Sequence, residues 1–279
     1  MRILIAVVVV CFLASLAHGA SLPEGEECYF EVKGPRDGLN IYVNGVFTGK
    51  KTPALVDAHV GDLVSVRGDP AAAGGFIGVW LATGKEKAIE FTIRKFEYGW
   101  KVYAYDGHRR YLNGIIVRSD ISPEKFEAIV RWSRARFITA ERCAKLKSLD
   151  ALDNHSELWA LSVSNTPIRS FAALKTLTGL RALILDGTDF QEIEILKAMP
   201  HLRELSLAST KVFNVETLAE LSKLERLSLF GTYVKDISPL FALKGLVSLD
   251  VCQTPAEEQF RNKIRGRFPR MFICACCGD

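Results

Sequence analysis

The sequence lacks the short motifs of the common enzyme classes. It contains no Gly-x-Ser-x-Gly elbow, no His-Glu-x-x-His motif, no phosphate-binding loop and no dinucleotide-binding fingerprint. Its histidines are few and scattered, and Asp106-Gly107-His108 is explained by a hydrophilic turn. A lone nucleophile at Cys143 is the remaining catalytic alternative. We therefore predict a protein that is not an enzyme and that uses neither a cofactor nor a metal ion.

The sequence also lacks a large excess of positive or negative charge. Lysine and arginine number 36 against 32 aspartates and glutamates, a formal net charge of +4. This balance points to no partner class, and we expect no nucleic-acid partner. The one local excess is basic and consists of Arg261, Lys263, Arg265, Arg267 and Arg270. We interpret it as the solvated side of a C-terminal capping helix; a patch for anionic glycans or phospholipids is the alternative.

Long apolar runs are absent beyond the first twenty residues. There, Arg2 precedes a run from Ile3 to Leu16 that only Ser15 interrupts, and Ala17-His18-Gly19 follows as a small-x-small cleavage site. These features predict a signal peptide over residues 1–19. The expected mature chain is secreted and has no membrane span; an uncleaved anchor is the alternative.

Six of the seven cysteines remain after that cleavage: Cys28, Cys143, Cys252, Cys274, Cys276 and Cys277. An even number in a secreted chain predicts disulfide bonds, and we expect at least one between the tail and Cys252. A zinc site is the alternative, but the Cys-x-Cys-Cys cluster has no second pair at zinc-like spacing. The one sequon, Asn154-His155-Ser156, predicts N-glycosylation at Asn154.

The second half of the chain repeats one pattern every 22 residues. Five leucines, each followed eight residues later by a threonine, carry it: Leu158, Leu180, Leu202, Leu224 and Leu246, with Thr166, Thr188, Thr210, Thr232 and Thr254. Two further apolar positions stand between each leucine and its threonine. A period kept without slippage predicts a solenoid whose units bury their apolar faces against each other.

Residues 20–120 follow a different pattern. Short apolar or alternating runs lie between Gly, Pro and Asp, with turn signals at Asn44-Gly45 and Gly61-Asp62. Strands of that length and spacing predict a β-sandwich. Ser122-Pro123-Glu124 then begins a helix, and we expect residues 121–157 to form a helical cap and a degenerate first repeat. The predicted fold is α+β, with repeats over 158–257 and a cap with a Cys-rich tail over 258–279.

The repeat unit, clearest in LERLSLFGTYVKDISPLFALKGL from Leu224 to Leu246, resembles the 22-residue leucine-rich repeat of the internalin type. The resemblance implies an arc with parallel strands on its concave side. This chain has threonine where asparagine is commonest in that family, which implies a weaker ladder between turns. The N-terminal region more loosely resembles a galactose-binding-type sandwich, from which no ligand residues carry over.

The residues between the leucines of each strand are expected to face the concave side, because side chains alternate along a strand. Most are small. The larger ones predict a partner-binding surface of Ile184, Asp186, Glu204, Arg226 and Phe230. An alternative is that Glu204 and Arg226 only pair with each other. The predicted function is non-catalytic protein recognition by this face; the alternative is lectin-like glycan binding by the N-terminal sandwich, with the repeats as scaffold.

Overall fold

The computed structural model describes residues 25–67, 76–83, 88–97, 99–106 and 109–257. The predicted signal peptide, the basic C-terminal segment and Cys274, Cys276 and Cys277 lie outside these residues. The described chain is mostly β-structure. Its strands are β1 (Glu27–Lys33), β2 (Asn40–Val43), β3 (Val46–Lys51), β4 (Ala54–His59), β5 (Leu63–Arg67), β6 (Phe76–Leu81), β7 (Ala88–Phe96), β8 (Gly99–Tyr105), β9 (Arg110–Val117), β10 (Phe137–Thr139), β11 (Ala160–Ser162), β12 (Ala182–Ile184), β13 (Glu204–Ser206), β14 (Arg226–Ser228) and β15 (Ser248–Asp250).

The repeats form a parallel sheet that advances by one strand every 22 residues. Ala160 pairs with Ala182, Ala182 with Glu204, Glu204 with Arg226, and Arg226 with Ser248. Each coil returns behind the sheet through a short 3₁₀ helix, at Ala172–Thr176, Ile193–Ala198, Glu216–Glu220 and Ser238–Ala242. The leucines of the pattern fill one core between sheet and helices. The solenoid and the period expected from the sequence are confirmed.

The five threonines stabilise the turn that follows each strand. Their side chains are buried, and each Oγ1 donates to the carbonyl three residues earlier at 2.6 or 2.7 Å: Thr166 to Val163, Thr188 to Leu185, Thr210 to Leu207, Thr232 to Leu229 and Thr254 to Val251. The hydroxyl therefore bonds within its own coil and does not bridge to the next. Successive coils are instead joined by backbone bonds such as Leu207 N to Ser228 O at 2.9 Å.

The N-terminal strands continue the same sheet. One 11-stranded sheet runs in the order β15-β14-β13-β12-β11-β10-β9-β8-β7-β1-β4. Its junction is β10, which pairs in parallel with β9 on one side and β11 on the other. Gly114 of β9 pairs with Phe137, and a Cβ at Gly114 would stand about 2.0 Å from the Phe137 ring, so only glycine fits there. A galactose-binding-type sandwich is not confirmed, since these strands merge with the repeats.

A second sheet of four strands has the order β3-β2-β5-β6. The β2–β3 hairpin turns through Asn44 and Gly45, both at positive φ (49° and 82°), as the Asn-Gly pair indicated. Asn113 of β9 ties this sheet to the large one: its side chain donates to Val79 O at 2.8 Å and accepts from Val79 N at 3.1 Å. Asn113 is fully buried, so this two-point contact fixes the spacing of the sheets.

Helix α1 (Pro123–Trp132) begins as predicted, with Ser122 as N-cap accepting from Lys125 N. Phe126 and Val130 enter the solenoid core. Helical spacing of the apolar residues from Phe126 onward would also place Phe137 and Ala140 on this side, but the helix does not extend that far. The chain leaves the helix at Ser133, whose backbone is extended, and Phe137 lies in β10. Leu149 and Leu152 are buried in the opening coil, where Ser148 bridges to Ser170 one period on.

Cys28, Cys143 and Cys252 are buried, and within the described part of the chain no disulfide bond joins any two of them. Burial, followed by the carboxylates of Glu141 and Asp120, raises the pKa of the Cys143 thiol to about 11. A thiol with that pKa is almost wholly protonated at neutral pH, so it is a poor nucleophile. The expected bridge from Cys252 to the tail involves cysteines outside the described residues and stays a prediction.

The contribution of the repeat core to stability can be tested by comparing a buried leucine with an exposed one. Leu205 is fully buried, whereas the Leu55 side chain is 54 % exposed. Leu205→Ala should lower the free energy of unfolding by about 2–5 kcal/mol, because it opens a cavity between neighbouring coils. Leu55→Ala should change it by less than about 0.5 kcal/mol. Urea midpoints at unchanged slope measure both, and equal shifts would contradict the described register.

Candidate functional site

The face of the repeat sheet opposite the leucine core, expected from the sequence to be concave and called the concave face below, is partly covered by the protein's own four-stranded sheet. Phe137, Ala160, Ala182 and Ile184, all on the concave side, belong to the same apolar cluster as the N-terminal strands. Phe76 of β6 lies 6.3 Å, centroid to centroid, from the Phe137 ring. The first coils therefore bury their concave face inside the molecule, and a partner has access only to the remainder.

An ion pair fixes this cover to the middle of the arc. Arg67, at the end of β5, reaches Glu204 of β13 with both terminal nitrogens, and Nη1 lies 2.9 Å from Oε1. The guanidinium also lies over the rings of Tyr42 and Phe76, at 4.7 and 4.5 Å from their centroids. Glu204 is fully buried, and its Oε1 also accepts from Arg226 Nη1 at 2.9 Å. One buried carboxylate thus holds two cations from different parts of the chain.

The electrostatics of Glu204 follow from these contacts. Burial alone raises the pKa of its carboxyl, but the charges and hydrogen bonds of Arg67 and Arg226 outweigh burial, and the pKa lies below its usual value. A lowered pKa stabilises the fold at pH values above the ordinary glutamate pKa. That contribution is lost as the pH falls through the lowered value. The contact is therefore intact at neutral pH.

The β2–β3 hairpin touches the same carboxylate. A Cβ at Gly45 would stand about 2.4 Å from Glu204 Cδ, so the turn needs glycine both for its positive φ and for this close approach. Beside it, Asn44 Nδ2 lies 2.9 Å from both oxygens of Glu225 and 2.9 Å from Asp62 Oδ1. The Asn44-Gly45 turn therefore bonds the third and fourth coils.

The structure separates the five residues predicted for partner binding. Ile184 and Glu204 lie beneath the four-stranded sheet, with 8 % and 0 % of their surface exposed. Asp186, Arg226 and Phe230 are half-buried and lie on the part that stays accessible. Burial raises the pKa of Asp186, against hydrogen bonds from Ser206 and the Ala208 amide. The ion pair between Glu204 and Arg226, considered from the sequence as an alternative, is present.

Sequence reasoning missed two groups of residues. The first contains Arg67, Asn44 and Asp62, which join the N-terminal strands to the repeats. The second contains Phe213 and Tyr233, exposed by 66 % and 62 % on the turns that follow β13 and β14. The backbone bond from Tyr233 N to Val212 O, at 2.9 Å, places these aromatics on adjoining coils. The sequence alone could have indicated Phe213 and Tyr233, because an apolar residue at a turn position of the repeat lies outside the core.

The predicted glycosylation site lies in an accessible turn. Asn154 is exposed and has a φ of 63°. Its backbone amide donates to Thr176 Oγ1 at 2.9 Å in the next coil. Glycosylation itself stays a prediction. Among the described residues, no group of three or more His, Cys, Asp or Glu is arranged to hold a metal ion, and no helix is long and apolar enough to cross a membrane.

The 22-residue coils, each with one parallel strand and a 3₁₀ return, form a leucine-rich-repeat solenoid. The chain is similar to the solved internalin InlF from Listeria monocytogenes, with 21 % identity over 51 % of this chain and 48 % of that one, at a TM-score of 0.43. It is also similar to internalin C2 from the same species, with 18 % identity over 58 % of this chain and 80 % of that one, at a TM-score of 0.43.

A leucine-rich-repeat protein from Leptospira interrogans is similar as well, with 19 % identity over 50 % of this chain and 46 % of that one, at a TM-score of 0.37. This chain thus spans about half the length of the InlF and Leptospira structures. Likenesses at these identities and TM-scores carry no conclusion about the function of this chain. No protein-family model and no curated protein matches the sequence.

The buried ion pair can be tested by a double-mutant cycle. Arg67→Leu and Glu204→Leu should each lower the free energy of unfolding by about 3–5 kcal/mol, because the first leaves the buried Glu204 carboxylate with Arg226 alone and the second leaves the buried Arg67 without a carboxylate. The double variant should recover most of that loss. The exposed pair Arg118–Asp120, at 2.8 Å, is the control and should couple by less than about 1 kcal/mol. Additive losses at Arg67 and Glu204 would contradict the described contact.

Proposed function

We propose that this protein is a non-catalytic protein-binding protein that acts after export. Its recognition surface is the accessible part of the arc, defined by Asp186, Arg226, Phe230, Phe213 and Tyr233. The observation that supports this most is the coincidence of two exposed aromatics with the uncovered concave residues. Tyr233 follows Phe230 by three residues through Gly231, at the turn that leads away from β14.

The composition of this surface is typical of protein interfaces. Aromatic residues and arginine are enriched among residues that dominate binding energy, and an arginine flanked by aromatics is a common anchor. Arg226 is oriented by Glu204, so it loses little conformational freedom on binding. The small residues Ala208 and Ser228 around it allow a partner chain to approach closely.

Glycan binding by the N-terminal strands is not favoured. The four-stranded sheet uses one face to cover the repeats, and Arg67, Tyr42 and Phe76 on it are engaged with each other and with Glu204. Of the N-terminal aromatics, Tyr103 lies under Arg94, with 5.8 Å between guanidinium and ring centroid. These contacts engage the named aromatic rings in the packing of the molecule.

The proposal is tested by affinity capture from the protein's own extracellular environment, followed by titration of the captured partner. Phe230→Ala and Tyr233→Ala should each weaken binding by about 1–3 kcal/mol, as interface anchors do. Trp100→Ala, an aromatic on β8 that is 38 % exposed, and Lys197→Glu, on the 3₁₀ helix behind the sheet, should change affinity by less than about 0.5 kcal/mol. Thermal midpoints of all variants should stay close to that of the wild type.

Equal losses of affinity in the Phe230 and Tyr233 variants and in the two control variants would place the interface elsewhere. Full binding by Phe230→Ala and Tyr233→Ala together would refute the proposed surface.

A further inference from the structure

The turn after each repeat strand presents one exposed residue on either side of a buried one. The buried residues belong to the leucine core: Leu146, Ile168, Phe190, Val212 and Val234. The exposed residues that precede them are Lys145, Pro167, Asp189, Lys211 and Tyr233. Those that follow them are Lys147, Arg169, Gln191, Phe213 and Lys235. Two exposed rows therefore run side by side along one edge of the solenoid.

Backbone contacts between coils keep these rows in register. Arg169 N donates to Lys147 O at 2.9 Å, and Tyr233 N donates to Val212 O at 2.9 Å. Neighbouring strands of a sheet lie about 4.8 Å apart, so Arg169 and Phe213, which are separated by two coils, lie about 10 Å apart.

The chemistry of the rows changes along the edge. Cations occupy both rows at the first coils, at Lys145, Lys147 and Arg169, whereas aromatic rings occupy them at Phe213 and Tyr233. We call these five residues the turn strip. The coils between its two ends present the Asp189–Lys211 ion pair, at 2.7 Å, and the neutral Gln191. The turn strip thus has a basic end, a balanced middle and an aromatic end.

The cations at the basic end form no ion pair within the described part of the chain. Of the carboxylates around them, Asp120 is paired with Arg118 at 2.8 Å, and Asp189 is paired with Lys211. Three further carboxylates border this end without reaching ion-pair distance from its cations: Glu124, Asp150 and Glu192. They lower the local potential, but the ammonium and guanidinium groups can still bond to a carboxylate of another molecule.

We propose that the turn strip binds an extended segment of a protein partner in which an apolar anchor is followed or preceded by a cluster of acidic residues. The anchor lies against Phe213 and Tyr233, and the carboxylates bond to Lys147 and Arg169. Charge complementarity selects an acidic segment, because a basic one would be repelled at this end. A distance of about 10 Å corresponds to about three residues of extended chain, which sets the spacing between anchor and acids.

This inference rests on the proposed function, since the turn strip shares Phe213 and Tyr233 with the recognition surface, and it adds the chemistry of the partner. The probe is a fluorescein-labelled peptide, Phe-Phe-Gly-Gly-Glu-Glu-Glu-Glu, made also in the reverse order because the turn strip does not dictate chain direction. Glutamine replaces glutamate in the uncharged match. Fluorescence anisotropy with the full mature chain should show saturable binding of the glutamate peptide in at least one order. Its affinity should exceed that of the glutamine peptide by at least about tenfold at low salt, and the difference should shrink as salt rises.

Two double variants with the same change of net charge separate the turn strip from general electrostatics. Lys147→Glu with Arg169→Glu should weaken the glutamate peptide by at least about tenfold and leave the glutamine peptide within about twofold. The control is Lys175→Glu with Lys244→Glu, at exposed lysines in and directly after the 3₁₀ helices behind the sheet. It should bind the glutamate peptide within about threefold of the wild type, because salt screens distant exposed charges.

The anchor is tested by Phe213→Ala, which should weaken both peptides by about threefold to tenfold. Thermal midpoints close to that of the wild type show that each variant is folded. Three results would each overturn the proposal: equal affinities of the glutamate and glutamine peptides in both orders, equal losses in the two double variants, or no loss in Phe213→Ala.

The two proposals fail separately. If the peptides show no glutamate selectivity while the captured partner is still lost in Phe230→Ala and Tyr233→Ala, the acidic segment is refuted and the recognition surface stands. If the peptides behave as expected while the captured partner ignores Phe230 and Tyr233, the recognition surface is refuted and the turn strip stands.

Discussion

Burial of the Glu204 carboxylate dictates how the N-terminal strands are attached to the repeats. A fully buried charge is tolerated only when it is paired and hydrogen-bonded, and Arg67 supplies that pair from 137 residues away. Arg67 is itself held between Tyr42 and Phe76, so the cation cannot be withdrawn without exposing an apolar core. The four-stranded sheet is therefore a permanent part of the concave face. It cannot leave as a lid would, because β9 and β10 also join it to the repeats through Asn113 and the continuous sheet.

The sequence allowed the repeats to be predicted because their information is local. A period of 22 with leucines at fixed offsets defines strand, turn and register together, and each coil contacts only its neighbours. The Asn44-Gly45 turn was predictable for the same reason, since two adjacent residues carry the signal. Ser122 and Pro123 likewise determine where helix α1 begins.

The rest depends on contacts that no local pattern encodes. Arg67 ends an apolar strand, and nothing around it indicates a partner on the third coil. Phe137 fits a helical stripe by spacing, yet it joins β10, because there its backbone pairs with two strands and its ring covers Gly114. Tertiary pairing outweighs helical periodicity at this position. The sequence predicted one common face for the five residues, but it did not show that Ile184 and Glu204 would be covered.

Threonine stands at the repeat position where asparagine is commonest, and other contacts hold the coils together. An asparagine amide can bond both forward and backward along a solenoid, whereas a threonine hydroxyl has one proton to donate, and here it donates to its own turn. Stacking of the coils then rests on backbone ladders and on the leucine core. A short stack held this way benefits from a large contact surface at its start, and the shared sheet through β9 and β10 provides it.

The four-stranded sheet covers the first half of the repeat sheet and leaves the second half accessible. The boundary between covered and uncovered surface runs through the third and fourth coils, where Glu204 orients Arg226 on one side and Arg203 holds Glu225 on the other. Side chains at such a boundary are oriented by buried partners while they still face solvent. A side chain oriented in this way loses less entropy on binding, and the charge of Arg226 stays accessible. The contact of Glu204 that fixes the N-terminal sheet through Arg67 therefore also orients Arg226 on the proposed recognition surface.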